Sequence, residues 1–256
     1  MHHWTRRLFA IAAPLLLTGC LWGPGKFNSD LTLRKDGSFV LDYRGELVLQ
    51  VPEDQSTQPW TNAKAKCADG AKARPCTAAE IADQKAAYEK KRQDSEQMAK
   101  MFGLPGLDDD SNRAFAAKLT KYAGWRSVTY RGKGVFDVDY HMEGRATQDF
   151  LFPALPDNNL IIPFVALRRR TDGSVLVTAP AFTGGAGPMS AAAAGAGDMG
   201  KGGPVSRAEG RFTIVTDGEI LTNNSEDGPA PHPIGRQLHW DVGPASNKIP
   251  EALIRL

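Results

Sequence analysis

Alternating apolar and polar positions mark the first structured stretch of the chain. Leu31-Thr32-Leu33-Arg34 and Phe39-Val40-Leu41-Asp42-Tyr43 flank Lys35-Asp36-Gly37-Ser38. Period-two patterning on both sides of Asp-Gly predicts a β-hairpin, because glycine takes the positive φ that a tight turn requires. The second strand is expected to run on through Glu46 to Val51. The same grammar returns around Asp172-Gly173, between Leu160–Leu167 and Val175-Leu176-Val177. It returns again around Asp217-Gly218, between Phe212-Thr213-Ile214-Val215 and Ile220-Leu221. Gly124 to His141 predicts a further long strand or hairpin, with Phe136, Val138 and Tyr140 on one face and Asp137, Asp139 and His141 on the other. The last strands are expected at Gln237–Val242, carrying Trp240, and at Ala252–Leu256.

A helical pattern interrupts this β grammar. Thr77-Ala78-Ala79-Glu80 has the spacing of a capping box, and the stretch to Met101 is rich in strong helix formers. Its apolar stripe is thin: Ile81, Tyr88, Met98 and Met101. Leu104-Pro105-Gly106 breaks the pattern, and a second helix is expected from Asp110 or Ser111, with Phe115, Leu119 and Tyr122 on one face. Asp108-Asp109-Asp110 lacks the alternating ligands of a calcium loop and reads instead as acidic residues complementing a helix N-terminus. The resulting expectation is α+β: a mainly antiparallel sheet built from Asp-Gly hairpins, with a two-helix insertion over 77–123 packed on it. Ala181–Pro204 is dominated by Gly and Ala, has little to bury, and is expected to be a flexible loop (181–204). Its Lys201 is followed by Gly202, so it does not form a phosphate-binding P-loop.

The N-terminus is of another kind. Arg6 and Arg7 precede an apolar run from Leu8 to Leu17, about half the length a helix needs to cross a bilayer. It ends in Leu17-Thr18-Gly19-Cys20, which resembles the lipobox of bacterial lipoproteins. That resemblance implies a signal peptide over 1–19, removal before Cys20, and diacylglycerol on the Cys20 thiol with acylation of the new amine. More than one chain gives stable membrane anchoring. Thr5-Arg6-Arg7-Leu8-Phe9 partly resembles a twin-arginine export motif; the short n-region and Ala10 depart from it, so general export remains the alternative. Leu21 stands where aspartate would retain a lipoprotein in the inner membrane, which favours the periplasmic face of the outer membrane. Residues 20–28, including Leu-Trp-Gly-Pro-Gly-Lys, are expected to be a tether, and 29–256 a single envelope domain.

Composition narrows the function. The 256 residues are 41% hydrophobic and 23% charged, ordinary globular values. Without Arg6 and Arg7, the 31 basic residues fall to match the 29 acidic ones. A neutral body without a basic stripe makes a nucleic-acid partner unexpected. Three cysteines fit one lipidated Cys20 plus a Cys67–Cys76 disulfide closing CADGAKARPC. In the chain-entropy account a loop of that length stabilises by about 2.7 kcal/mol. His141, His232 and His239 lack metal-ligand spacing, so neither a metal nor another cofactor is expected. Nucleophile-elbow, zincin and S-x-x-K motifs are absent, and the remaining dyad, His141 with Asp139, is of a kind common on solvated sheet faces. Trp125 and Trp240 read as core residues.

The Asp-Gly hairpins, the helical insertion and the late Phe212-Thr213-Ile214 … Leu238-His239-Trp240 strands are loosely similar to the LppM-type bacterial lipoprotein domain. That resemblance implies an α+β module with a small antiparallel sheet that contacts lipid-like ligands. The expectation is thus a non-enzymatic, lipid-anchored envelope module with a protein or lipid partner. The alternative is a periplasmic carrier of a lipid or small apolar ligand, with the Gly/Ala segment as its lid.

Overall fold

The first hairpin forms as its alternation dictates. Strand β1 (Trp22–Leu33) turns Phe27, Leu31 and Leu33 inward, and β2 (Ser38–Leu49) turns Phe39, Leu41, Tyr43 and Leu47 to the same side. The computed structural model describes residues 22–49, 60–70, 72–101, 108–155, 163–183 and 207–256. The following strands are β3 (Cys67–Asp69), β4 (Lys72–Arg74), β5 (Trp125–Gly132), β6 (Val135–Arg145) and β7 (Phe150–Phe152). After them come β8 (Val165–Arg169), β9 (Ser174–Thr178), β10 (Glu209–Thr216), β11 (Glu219–Asn223), β12 (Ala230–His232), β13 (Gly235–Val242) and β14 (Glu251–Arg255). The helices are α1 (Ala78–Met101) and α2 (Asp109–Leu119).

Two sheets carry the fold, in the orders β12-β13-β10-β1-β2-β6-β5 and β11-β14-β9-β8-β7, with β3-β4 as a separate ribbon. Pairing among the described strands is antiparallel except between β1 and β10, which run parallel from Lys26–Glu209 to Leu33–Thr216. The fold class is therefore α+β with antiparallel-rich sheets. The sheets face one another across an aromatic layer: Tyr43 lies 5.1 Å from Phe152, Phe39 4.8 Å from Phe150, and Tyr140 4.4 Å from Phe152. Ring pairs at such distances add to the stabilisation that burial alone provides. The Tyr43 hydroxyl donates to the Glu46 carbonyl at 2.7 Å, so this buried polar group is satisfied.

Three expectations about strands and loops change in the folded chain. Trp22 to Asn28, expected as tether, form the first half of β1. Trp22 pairs with Leu49, Gly23 with Val48 and Pro24 with Leu47, and a bulge then separates Pro24 from Phe27. Pro24 is tolerated there because β10 joins β1 only from Lys26 onward. Burial of the Trp22 indole, stacked 5.4 Å from Phe115 and 5.5 Å from Phe136, outweighs the Gly/Pro composition. Second, Asp217-Gly218 does not close a hairpin, since β10 and β11 belong to different sheets. Gly218 sits there for space: a Cβ would come within 2.7 Å of Ile254 Cγ2 and 2.8 Å of the Arg255 carbonyl. Third, the loop expected from Ala181 begins inside the core, because Phe182 is completely buried. The remaining positions of that segment, 184–204, lie outside the described residues.

Helix α1 starts where its capping box predicts, whereas α2 starts at Asp109, one residue before the expected Asp110 or Ser111. Thr77 N–H donates to Glu80 Oε2 at 2.8 Å, and Glu80 N–H returns to Thr77 Oγ1 at 3.3 Å. Asp108 accepts from Ser111 N–H at 2.8 Å at the head of α2. Helix α2 buries Asn112, Phe115, Ala116 and Leu119. Tyr122, expected on that face, lies beyond the helix and is 45% exposed, because the helix ends at Leu119. The described contacts of α1 run to residues 60–76: Tyr88 lies 5.5 Å from Trp60, and Gln84 Nε2 donates to the Lys66 carbonyl.

Candidate functional site

Two of the Asp-Gly segments fold into the same turn. In Arg34–Ser38, Asp36 Oδ1 accepts from the Ser38 amide (2.8 Å) and hydroxyl (2.6 Å). In Arg170–Ser174, Asp172 Oδ1 accepts from the Ser174 amide (2.9 Å) and hydroxyl (2.6 Å). Gly37 and Gly173 both take φ 84°, the left-handed region where glycine carries no Cβ penalty. The serine hydroxyl and then its amide hold the carboxyls of Asp36 and Asp172 below the usual carboxylate range.

Strand register brings these turns together at one end of the sandwich. Ser38 pairs with Arg145 at the end of β2–β6, and Ser174 pairs with Arg255 at the end of β9–β14. The third Asp-Gly segment joins them, with Asp217 Oδ1 accepting the Lys35 amide at 2.7 Å and Oδ2 lying 3.5 Å from Arg34. Between the turns lies a cleft of about 210 Å³, lined by Lys35, Asp36, Arg169, Asp172, Arg255 and Leu256 among others. Several of its charges are paired. Arg255 meets Glu219 at 2.7 Å, and Arg145 lies 3.9 Å from the Asp36 carboxylate. Exposed pairs of this kind each contribute about 0–1 kcal/mol, so they position the turns more than they stabilise the fold. The Lys35 ammonium and Arg169 guanidinium have no carboxylate within ion-pair distance among the described residues, although Arg169 donates to the Ala146 carbonyl at 3.0 Å. The cleft can therefore present cationic donors to an anionic group.

A second polar cluster occupies the outer face of the larger sheet. His141 Nδ1 lies 2.8 Å from Asp42 Oδ1 and Nε2 lies 3.2 Å from Glu143 Oε1. The partner expected from the sequence, Asp139, faces Arg44 instead at 3.6 Å. Directly opposed residues on neighbouring strands sit closer than residues two apart on one strand, so Asp42, registered against His141, takes the imidazole. The Asp42 hydrogen bond is the main reason the imidazole pKa is raised above its ordinary value. His141 thus stabilises the fold below its unfolded pKa, and that contribution is lost as pH rises through the higher folded one. The expected result of an NMR titration is an imidazole midpoint above about 6.5 that falls in Asp42→Asn. An unchanged midpoint in the variant would remove Asp42 as the cause.

The remaining candidates are dispersed. Cys67 and Cys76 are joined, with Cα atoms 5.3 Å apart, and Gln84 of α1 reaches the Cys67 sulfur at 3.4 Å. Arg74 in the same loop meets Glu80 at 2.6 Å, and this contact, with the Thr77 hydrogen bonds, lowers the Glu80 pKa to about 2. His239 faces Asp227 at 3.1 Å, and the three histidines lie on separate strands. Among the described residues no three metal-ligating side chains converge. Trp125 and Trp240 are buried in the core. Cys20 and Lys201 lie outside the described residues. Asn224, which the sequence did not single out, accepts from Trp240 Nε1 and from the Glu251 amide, both at 2.9 Å, and so ties one sheet to the other. A buried indole in need of an acceptor was the available signal.

No known family matches this chain, and no curated protein does. Among solved structures, the NMR structure of the folded domain of LppM from Mycobacterium tuberculosis is similar at a TM-score of 0.26 and 11% identity, covering 93% of this chain and 91% of that one. No helix among the described residues is long and apolar enough to cross a membrane.

Proposed function

We propose that this chain is a lipid-anchored envelope lipoprotein whose sandwich serves as a structural or interaction module rather than as an enzyme. The observation that carries the module reading is the aromatic layer. Phe27 stacks 4.1 Å from Phe182, Phe182 lies 5.5 Å from Phe212, and Tyr43 lies 5.7 Å from Phe164. The protein's own rings occupy the space between the sheets that an apolar ligand would need, which favours a scaffold over an apolar-ligand carrier. The Leu17-Thr18-Gly19-Cys20 box supplies the anchor, and Leu21 after it favours the outer membrane.

Cys20→Ser tests the anchor. Metabolic labelling with a fatty acid is expected to mark the parent protein and leave the variant unlabelled, full-length and unprocessed. Label retained on the variant would overturn the assignment. Turnover of a cell-wall or lipid substrate by the purified mature protein would overturn the non-enzymatic reading.

A further inference from the structure

The start of β1 fixes more than the end of a tether. Trp22 is buried and paired with Leu49, so only two residues of sequence separate Cys20 from a position fixed in the sheet. Two residues span about 7 Å at most. An acyl group on Cys20 therefore holds the Trp22 end of the sandwich within one short reach of the lipid headgroups. Register identifies what shares that end. Val48 pairs with Val135 of β6, and Leu49 N–H donates to the Gly134 carbonyl at 2.7 Å, so the β5–β6 turn stands level with Trp22. At its apex Lys133 is exposed, takes φ 52°, and lies between Gly132 and Gly134, which are also at positive φ. Its ammonium makes no ion pair with the described residues. Asp36-Gly37 lies at the opposite end of β1 and β2, with the other two Asp-Gly segments gathered beside it. With 12 residues in β1 and about 3.3 Å per residue, the two ends are roughly 40 Å apart.

We propose that the end formed by Trp22, Leu49 and the Gly132–Gly134 turn faces the bilayer surface, with Lys133 toward lipid phosphates, and that the Asp-Gly turns and their cleft point away from the membrane. The proposal rests on acylation of Cys20. It makes the cleft the surface offered to soluble envelope partners, and it makes the two-residue separation of Cys20 from Trp22 the feature that sets orientation.

The test uses the acylated protein in vesicles of phosphatidylethanolamine and phosphatidylglycerol containing a headgroup-nitroxide lipid. With Cys67 and Cys76 joined and Cys20 acylated, Lys133→Cys and Thr171→Cys each add one free thiol for a fluorophore. Quenching is expected to be severalfold greater at position 133 than at 171. A Gly/Ser insert of about a dozen residues between Leu21 and Trp22, reaching on the order of 20 Å, is expected to erase that difference while leaving the protein in the vesicle fraction. Equal quenching in the uninserted protein, or greater quenching at 171, would overturn the orientation while leaving the anchor intact. Absence of acyl label on Cys20 would overturn both.

Discussion

Replacing Phe182 with alanine is expected to destabilise the protein by about 3–5 kcal/mol, the cost of deleting a fully buried ring that its surroundings cannot close over. The ring is inaccessible and lies 4.1 Å from Phe27, 5.5 Å from Phe212 and 6.0 Å from Phe164. These neighbours come from β1, from β10 and from the residue just before β8, so a cavity at Phe182 loosens both sheets at once. For a chain of this size that loss lowers the melting temperature by roughly 10 °C. A calorimetric shift below about 3 °C would mean that the ring contributes little more than an exposed one. Phe182→Leu separates the causes: it retains most of the volume and is expected to recover more than half of the loss.

Gly210→Ala is expected to cost about 3 kcal/mol, at the upper end of what overpacking does. A Cβ at position 210 would stand 1.9 Å from the Phe27 carbonyl oxygen and 2.8 Å from its carbon. The obstacle is backbone in the adjacent parallel strand, so no side-chain rotation relieves it and β10 must move away from β1. Phe27→Ala therefore does not rescue the variant, although it removes the ring. Gly173→Ala is the contrast. It meets nothing within 4 Å but sits at φ +84°, and it is expected to cost only the left-handed penalty of about 1–2 kcal/mol. Urea unfolding of the three variants checks the order. Equal midpoints for positions 210 and 173 would show that β1 and β10 can separate freely.

The two largest effects thus fall at positions whose local sequence gives no warning. Phe182 opens a run of Gly, Ala and Pro, and Gly210 stands in an ordinary alternating strand. Their importance comes from partners more than 150 residues away in the chain, Phe27 in both cases.

What the sequence by itself determined is local. Period-two alternation specified the faces of β2, of β6 and of the last residues of β1, because successive side chains must point to opposite sides of a strand. Thr77-Glu80 specified where α1 begins, because a free amide at a helix start is met by a nearby side chain, whereas the Asp108 cap that starts α2 at Asp109 emerged only in the folded chain. Asp36-Gly37 and Asp172-Gly173 specified their own turns through short-range hydrogen bonds and a φ only glycine takes freely. Asp217-Gly218 carries the same letters and does something else, since the chain passes there from one sheet to the other. Only the tertiary structure decided that, because a turn's dipeptide sets local curvature and strand pairing is chosen by which distant apolar faces bury each other. The same competition drew Trp22 and Phe182 out of Gly-rich surroundings and into the core. It matched His141 with Asp42 instead of Asp139, and it gathered Arg34, Arg145, Arg169 and Arg255 at one end of the sandwich. Local rules act over three or four residues, whereas burial acts over the whole chain, and where they conflict the larger area removed from water prevails.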